Sequence, residues 1–112
     1  MGIYFLSSDP KRLLASFNES HSIKTWRFTL IHQKPHYTHT SEAWKDKAYL
    51  EPDDTEPDRL AFHVQGFHGA PLTKDVFAYY LGHLAETFIR DFPDQFSEVH
   101  LTSSPDPEDD DF

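Results

Sequence analysis

Cysteine is absent from the 112-residue sequence, which excludes disulfide scaffolds, thiolate zinc sites, iron–sulfur clusters and cysteine nucleophiles. Long apolar runs are also missing, and none approaches the roughly 20 residues of a membrane-spanning helix. The amino terminus lacks the basic start and apolar stretch of a secretory signal. No Gly-x-Ser-x-Gly motif offers a serine nucleophile for acyl transfer. We therefore expect a soluble cytoplasmic protein that uses no cofactor and contacts no membrane.

Positive charge is scarce, with 10 Lys and Arg against 19 Asp and Glu and a formal net charge of -9. The imbalance is uneven along the chain. Residues 1–47 carry seven basic and four acidic side chains, whereas residues 48–112 carry three and fifteen. Binding to a nucleic-acid backbone requires clustered Lys and Arg, so this composition disfavours a nucleic-acid partner.

Apolar spacing predicts helices over residues 9–20 and 73–92, with Asp9 and Thr73 as typical N-caps. Strands are predicted over residues 2–7, 25–31, 47–51, 59–65 and 96–102, with a turn or two of helix between 41 and 47. This order, β-α-β-β-β-α-β, predicts an α+β two-layer sandwich. We expect a mixed, mostly antiparallel sheet of about five strands with both main helices on one face.

Residues 1–104 are predicted to form this single domain, and the acidic residues 105–112 to form a disordered tail. Gly82 interrupts the longer predicted helix at a cost of about 1 kcal/mol relative to alanine. A close approach between that helix and the sheet would explain a glycine there.

A dense acidic stretch lies between the third and fourth predicted strands. Clustered carboxylates create a field that steers a basic partner towards the protein. The leading functional prediction is therefore a small interaction module, such as an inhibitor or immunity-type protein, that binds a basic protein partner. The alternative is a solvated loop that serves solubility. The predicted contact residues are Glu51, Asp53, Asp54, Glu56 and Asp58.

Two groups of residues that contain histidine suggest a second class, a histidine-dependent enzyme or a metal-binding protein. Imidazoles suit zinc, nickel or copper, and the candidate metal ligands are His32, His36 and His39. The alternative is a solvated histidine-rich loop. The candidate catalytic residues are Tyr79, His83 and Glu86, whose spacing places them on one face of the longer helix. An ordinary polar helix face has the same spacing.

A further candidate is an anion site where a strand runs into a helix N-terminus, at Gly66, Gly69 and Lys74. Turn glycines near helix starts explain the same pattern without a ligand. A third functional class is a homodimer, because the edge strands of a small sheet can pair between two copies.

Overall fold

A computed structural model describes residues 2–20, 24–66 and 71–104, which form six strands and two helices. The predicted tail at 105–112 lies outside these residues. The elements are β1 (Ile3–Leu6), α1 (Pro10–Glu19), β2 (Trp26–Ile31), β3 (Lys34–His39), β4 (Ala48–Asp53), β5 (Arg59–Gly66), α2 (Lys74–Asp91) and β6 (Glu98–Leu101).

All six strands belong to one sheet with the order β2-β3-β4-β5-β1-β6. Each neighbouring pair is antiparallel, and β1 lies between β5 and β6, where Phe5 pairs with Leu60 and Val99. The predicted α+β class is therefore confirmed. The sheet is purely antiparallel rather than mixed, and it has one more strand than expected.

The additional strand, β3, occupies the segment that the sequence presented as a histidine-rich loop. It is joined to β2 by a two-residue turn at His32 and Gln33, with φ values of 52° and 65°. Such turns normally carry Asn-Gly or Gly-Gly, so the usual hairpin signal is missing. Pro35 also argued against a strand, because proline cannot donate to a ladder. It is tolerated because β3 pairs with β4 at Tyr37, two residues further on.

The helix ends follow the predicted caps. The Asp9 carboxylate accepts a hydrogen bond from the Arg12 amide at 3.1 Å, and Pro10 is the first residue of α1. The Thr73 hydroxyl likewise accepts from the Val76 amide at 3.2 Å, at the start of α2. The segment between 41 and 47 forms turns rather than the predicted short helix.

Both helices pack on one face of the sheet through aromatic side chains. Phe5 stacks on Phe88 with ring centroids 4.2 Å apart, and Phe17 contacts Tyr37 and Phe62. Each fully buried ring contributes about 1.5–3 kcal/mol through area removed from water. Among the described elements, neither helix covers the opposite face, which we call the open face.

The expectation for Gly82 is wrong. This residue is exposed, and a Cβ atom built there would meet no atom within 4 Å. The close approach between α2 and the sheet occurs at Gly2, where a Cβ would lie 3.0 Å from Val64 Cγ2 and 3.2 Å from Leu81. Over the described ranges, neither α1 nor α2 combines the length and apolar character that crossing a membrane requires.

Candidate functional site

A buried tyrosine hydroxyl fixes the connection between β3 and β4 against α2. Tyr80 is fully buried, and its hydroxyl donates to the carbonyl oxygen of Trp44. The hydroxyl oxygen of Tyr80 also lies 3.1 Å from Thr38 Oγ1, and it accepts a hydrogen bond from the Lys47 amide at 3.4 Å. One side chain of α2 therefore holds both ends of this connection in place.

This arrangement builds a stack of three rings on the surface of α2. The Trp44 ring lies on Tyr79 with centroids 3.9 Å apart and planes 12° from parallel. Tyr79 in turn stacks on His83 at 4.0 Å and 27°. Tyr79 and His83 are one helical turn apart, as the sequence predicted, whereas Trp44 comes from the connection.

His39 lies beneath the stack and is 5% exposed. Its Nδ1 accepts a hydrogen bond from the Ser41 amide at 3.1 Å, and its ring centroid is 5.5 Å from that of His83. Its Nε2 is buried and has no hydrogen-bond partner in the described part of the chain. Burial, with a smaller contribution from His83, lowers the pKa of His39. His39 is therefore a neutral part of the support for the stack at pH 7.

Next to the ring stack, the exposed side of α2 forms a shallow groove, which we call the α2 groove. Its lining residues are Trp44, Asp75, Ala78, Tyr79, Gly82, His83 and Glu86. Asp75 and Glu86 are eleven positions apart, about 16 Å along the helix axis. The Glu86 carboxylate lies 3.9 Å from both His83 Nδ1 and the Arg90 guanidinium, beyond hydrogen-bond distance. The groove thus combines aromatic faces, a floor formed by the small residues Ala78 and Gly82, and carboxylates towards its two ends.

The candidate catalytic residues, Tyr79, His83 and Glu86, do lie on one face of α2. His83 Nδ1 and Glu86 Oε1 are 3.9 Å apart, so Glu86 forms no hydrogen bond with the imidazole in this structure. Catalytic hydrogen bonds often tighten only when substrate binds, and the catalytic hypothesis therefore stays a prediction.

The candidate metal ligands, His32, His36 and His39, are not brought together. His36 lies on the open face, with Nε2 3.1 Å from Glu51 Oε2. His39 lies on the helix-covered face, because its position in the strand differs by an odd number of residues. His32 is in the β2–β3 turn. Within the described ranges, no group of three or more His, Cys, Asp or Glu side chains could hold a metal ion.

The predicted acidic contact residues mostly have cationic or hydrogen-bonding partners within the chain. Glu51 pairs with His36, Asp54 lies 3.5 Å from Lys11 Nζ, and Asp58 is bonded to Arg59 at 3.1 Å. Asp53 accepts hydrogen bonds from the amide and hydroxyl of Thr55, and these bonds lower the pKa of its carboxyl. Glu56 is exposed.

The structure describes only part of the candidate anion site. Gly66 ends β5 and Lys74 begins α2, while Gly69 lies outside the described residues. The anion hypothesis therefore stays a prediction.

Comparison with known proteins gave no relative that could assign a function. No family model matches the chain, and neither does any curated protein or solved structure.

Proposed function

We propose that this chain is a small acidic interaction module that binds a basic protein partner through the α2 groove. An inhibitor or immunity-type protein directed at a basic enzyme would act in this way. The observation that carries the proposal is the Trp44–Tyr79–His83 stack bordered by Asp75 and Glu86.

The chemistry of the groove suits a cationic side chain. A guanidinium or ammonium group within about 6 Å of a Trp or Tyr ring gains about 0.5–2 kcal/mol from the ring quadrupole. A neighbouring carboxylate adds a charge-assisted hydrogen bond. Trp and Tyr are also enriched among the residues that dominate binding energy at protein interfaces.

The dimensions of the groove indicate the size of the segment it takes. About 16 Å separates Asp75 from Glu86 along the helix, the length of about five extended residues. A partner segment with two basic side chains four or five residues apart could place one near each carboxylate.

Contacts within the fold fix the positions of the rings that line the α2 groove. Tyr80 fixes the Trp44 backbone, and His39 packs under Tyr79 and His83. A preorganised surface loses little conformational entropy when the partner docks. The acids of residues 51–58 add to the long-range field of a chain with net charge -9, and so favour encounter with a basic partner.

The test is calorimetric titration of the full chain with a seven-residue peptide that carries Arg at its second and sixth positions. Asp75→Asn with Glu86→Gln should weaken binding at least tenfold. The matched control, Asp54→Asn with Glu56→Gln, removes the same charge from the acidic loop and should weaken binding less than threefold. Equal losses in the two double variants would contradict the groove as the binding site.

A further inference from the structure

The outer strand β2 is open along one side. All six of its residues, Trp26–Ile31, pair with β3, and no other strand of the described structure lies on its far side. An exposed edge presents unpaired backbone donors and acceptors that another chain can extend. Adding a strand to such an edge is a recurring mode of peptide recognition.

The side chains next to this edge are apolar and exposed. Phe28 is 51% exposed and Leu30 62%. A cleft of about 60 Å³ lies beside Phe28, and its lining residues are Phe17, Asn18, Ser20, Trp26, Phe28 and Tyr37. An added strand could place an alternate side chain against this surface.

One buried polar group in the cleft has no hydrogen-bond partner among the described residues. Tyr37 is 3% exposed, and no group of the described structure forms a hydrogen bond with its buried hydroxyl. Leaving a buried hydroxyl unpaired is energetically unfavourable. Burial also raises the pKa of Tyr37, so the hydroxyl keeps its proton as a donor.

The basic side chains near β2 favour an acidic partner segment. Residues 20–41 include Lys24, Arg27 and Lys34 but no Asp or Glu, in a chain with net charge -9. Arg27 pairs with Asp46, while Lys24 and Lys34 are exposed. This end of the sheet therefore attracts an acidic segment, unlike the α2 groove.

A second copy of the chain fits the edge less well. Antiparallel pairing of two β2 strands about Thr29 would bring Phe28 of one copy beside Leu30 of the other. The β2 strand of a second copy would offer no carboxylate to Lys24 or Lys34, because residues 20–41 contain no Asp or Glu.

We propose that the β2 edge binds an extended acidic segment of a partner protein as a seventh strand of the sheet. Its backbone would pair with Trp26–Ile31, and its alternate apolar side chains would cover Phe28 and Leu30. Its acids would lie towards Lys24, just before β2, and towards Lys34, which is beside Ile31 at the other end of the strand. This surface is separate from the α2 groove, so the two proposals can fail independently.

The test is titration of the isotopically labelled full chain with a seven-residue peptide of alternating Glu and Val, followed by amide chemical shifts. The largest changes are expected at residues 26–31, with weaker binding at high salt. Leu30→Gln should weaken binding at least fivefold. The matched control on the other edge strand, Leu101→Gln, changes a side chain that is 52% exposed and should have less than a twofold effect.

Three results would overturn the proposal. The first is equal binding of a peptide with Lys in place of Glu. The second is the absence of shifts at residues 26–31 at millimolar peptide. The third is a dimer in sedimentation equilibrium that Leu30→Gln dissociates, because a second copy would then be the occupant. Asp75→Asn with Glu86→Gln should leave binding of the Glu-Val peptide unchanged.

Discussion

The acidic loop at residues 51–58 and the α2 groove both present carboxylates, but they differ in what those carboxylates contact. In the loop, acids that are close together in sequence lie within 3.5 Å of His36, Lys11 and Arg59 of the same chain. In the groove, Asp75 and Glu86 are far apart in sequence and share a surface with stacked rings. The number of acids in a segment therefore does not locate a docking surface, because local partners decide which acids remain available.

The difference matters for binding energy, because a loop carboxylate would have to exchange a cation of its own chain for one of the partner. A carboxylate that already contacts a cation must give up that contact to bind another, so the net gain is small, as it is for exposed ion pairs generally. In the groove, Glu86 has only a loose contact with Arg90 at 3.9 Å, so a partner cation can add a closer one, and the rings add a further contribution.

The largest effect is expected from Tyr80→Phe. This change removes the hydroxyl that bonds to the Trp44 carbonyl, Thr38 and the Lys47 amide, and leaves buried groups unpaired. We expect a loss of about 2–3 kcal/mol in the free energy of unfolding, measured by urea denaturation. Tyr4→Phe on the open face is the control, with an expected change of less than about 0.5 kcal/mol. Equal effects of the two variants would contradict the role assigned to Tyr80.

The second prediction concerns Trp44→Ala. The ring is lost, but the backbone carbonyl that accepts from Tyr80 remains. Affinity for the Arg peptide should fall about tenfold, which corresponds to the upper range of cation–π energies. Calorimetry measures the change. Phe28→Ala removes an exposed ring outside the groove, and its affinity should match that of the unmodified chain. If Trp44→Ala binds normally, the rings are not part of the binding surface.

The third prediction is that Gly82→Ala stabilises the protein and weakens binding. A helical glycine costs about 0.5–1 kcal/mol relative to alanine, and nothing within 4 Å opposes the added Cβ. Thermal unfolding should show the gain. The same methyl group would occupy space in the α2 groove that the peptide needs, so affinity for the Arg peptide should fall about twofold to threefold. If the variant is more stable but binds the Arg peptide with unchanged affinity, the peptide does not contact the groove at Gly82.

The smallest effect is expected from Asp53→Asn in the acidic loop. Hydrogen bonds from Thr55 lower the pKa of Asp53 in the folded protein. A lowered folded pKa means that this stabilisation is present above the unfolded value of about 4 and is lost as the pH falls through the folded value. The variant should therefore lose a few tenths of a kcal/mol at pH 7.

Urea denaturation at pH 7 and pH 3 measures this difference, which should shrink at the lower pH. Arg-peptide affinity at pH 7 should not change. A constant stability difference at both pH values would show that the charge of Asp53 contributes nothing.

Local signals in the sequence were sufficient for much of the fold. Asp9 and Thr73 cap the two helices because an N-cap depends on a side chain and an amide three residues later. The β3 strand was missed because its hairpin uses His32 and Gln33 in a conformation that usually selects glycine. The role of Gly82 was misassigned, since only the packed structure shows that Gly2 is the point of close approach.

The candidate site was predictable only in part. Tyr79, His83 and Glu86 share a helix face because of their spacing, and this could be inferred from the sequence. Trp44 could not be added, because its place depends on a contact with Tyr80 across 36 positions of the chain. Such a contact is set by tertiary packing and leaves no periodic signal in the sequence.

The most direct measurement of the central claim is amide chemical-shift mapping of the full chain during titration with the Arg peptide. The account predicts saturable changes at Trp44, at residues 75–86 and at the Trp44 indole, with smaller changes at residues 51–58. Changes confined to residues 51–58 would contradict it, as would no changes at millimolar peptide.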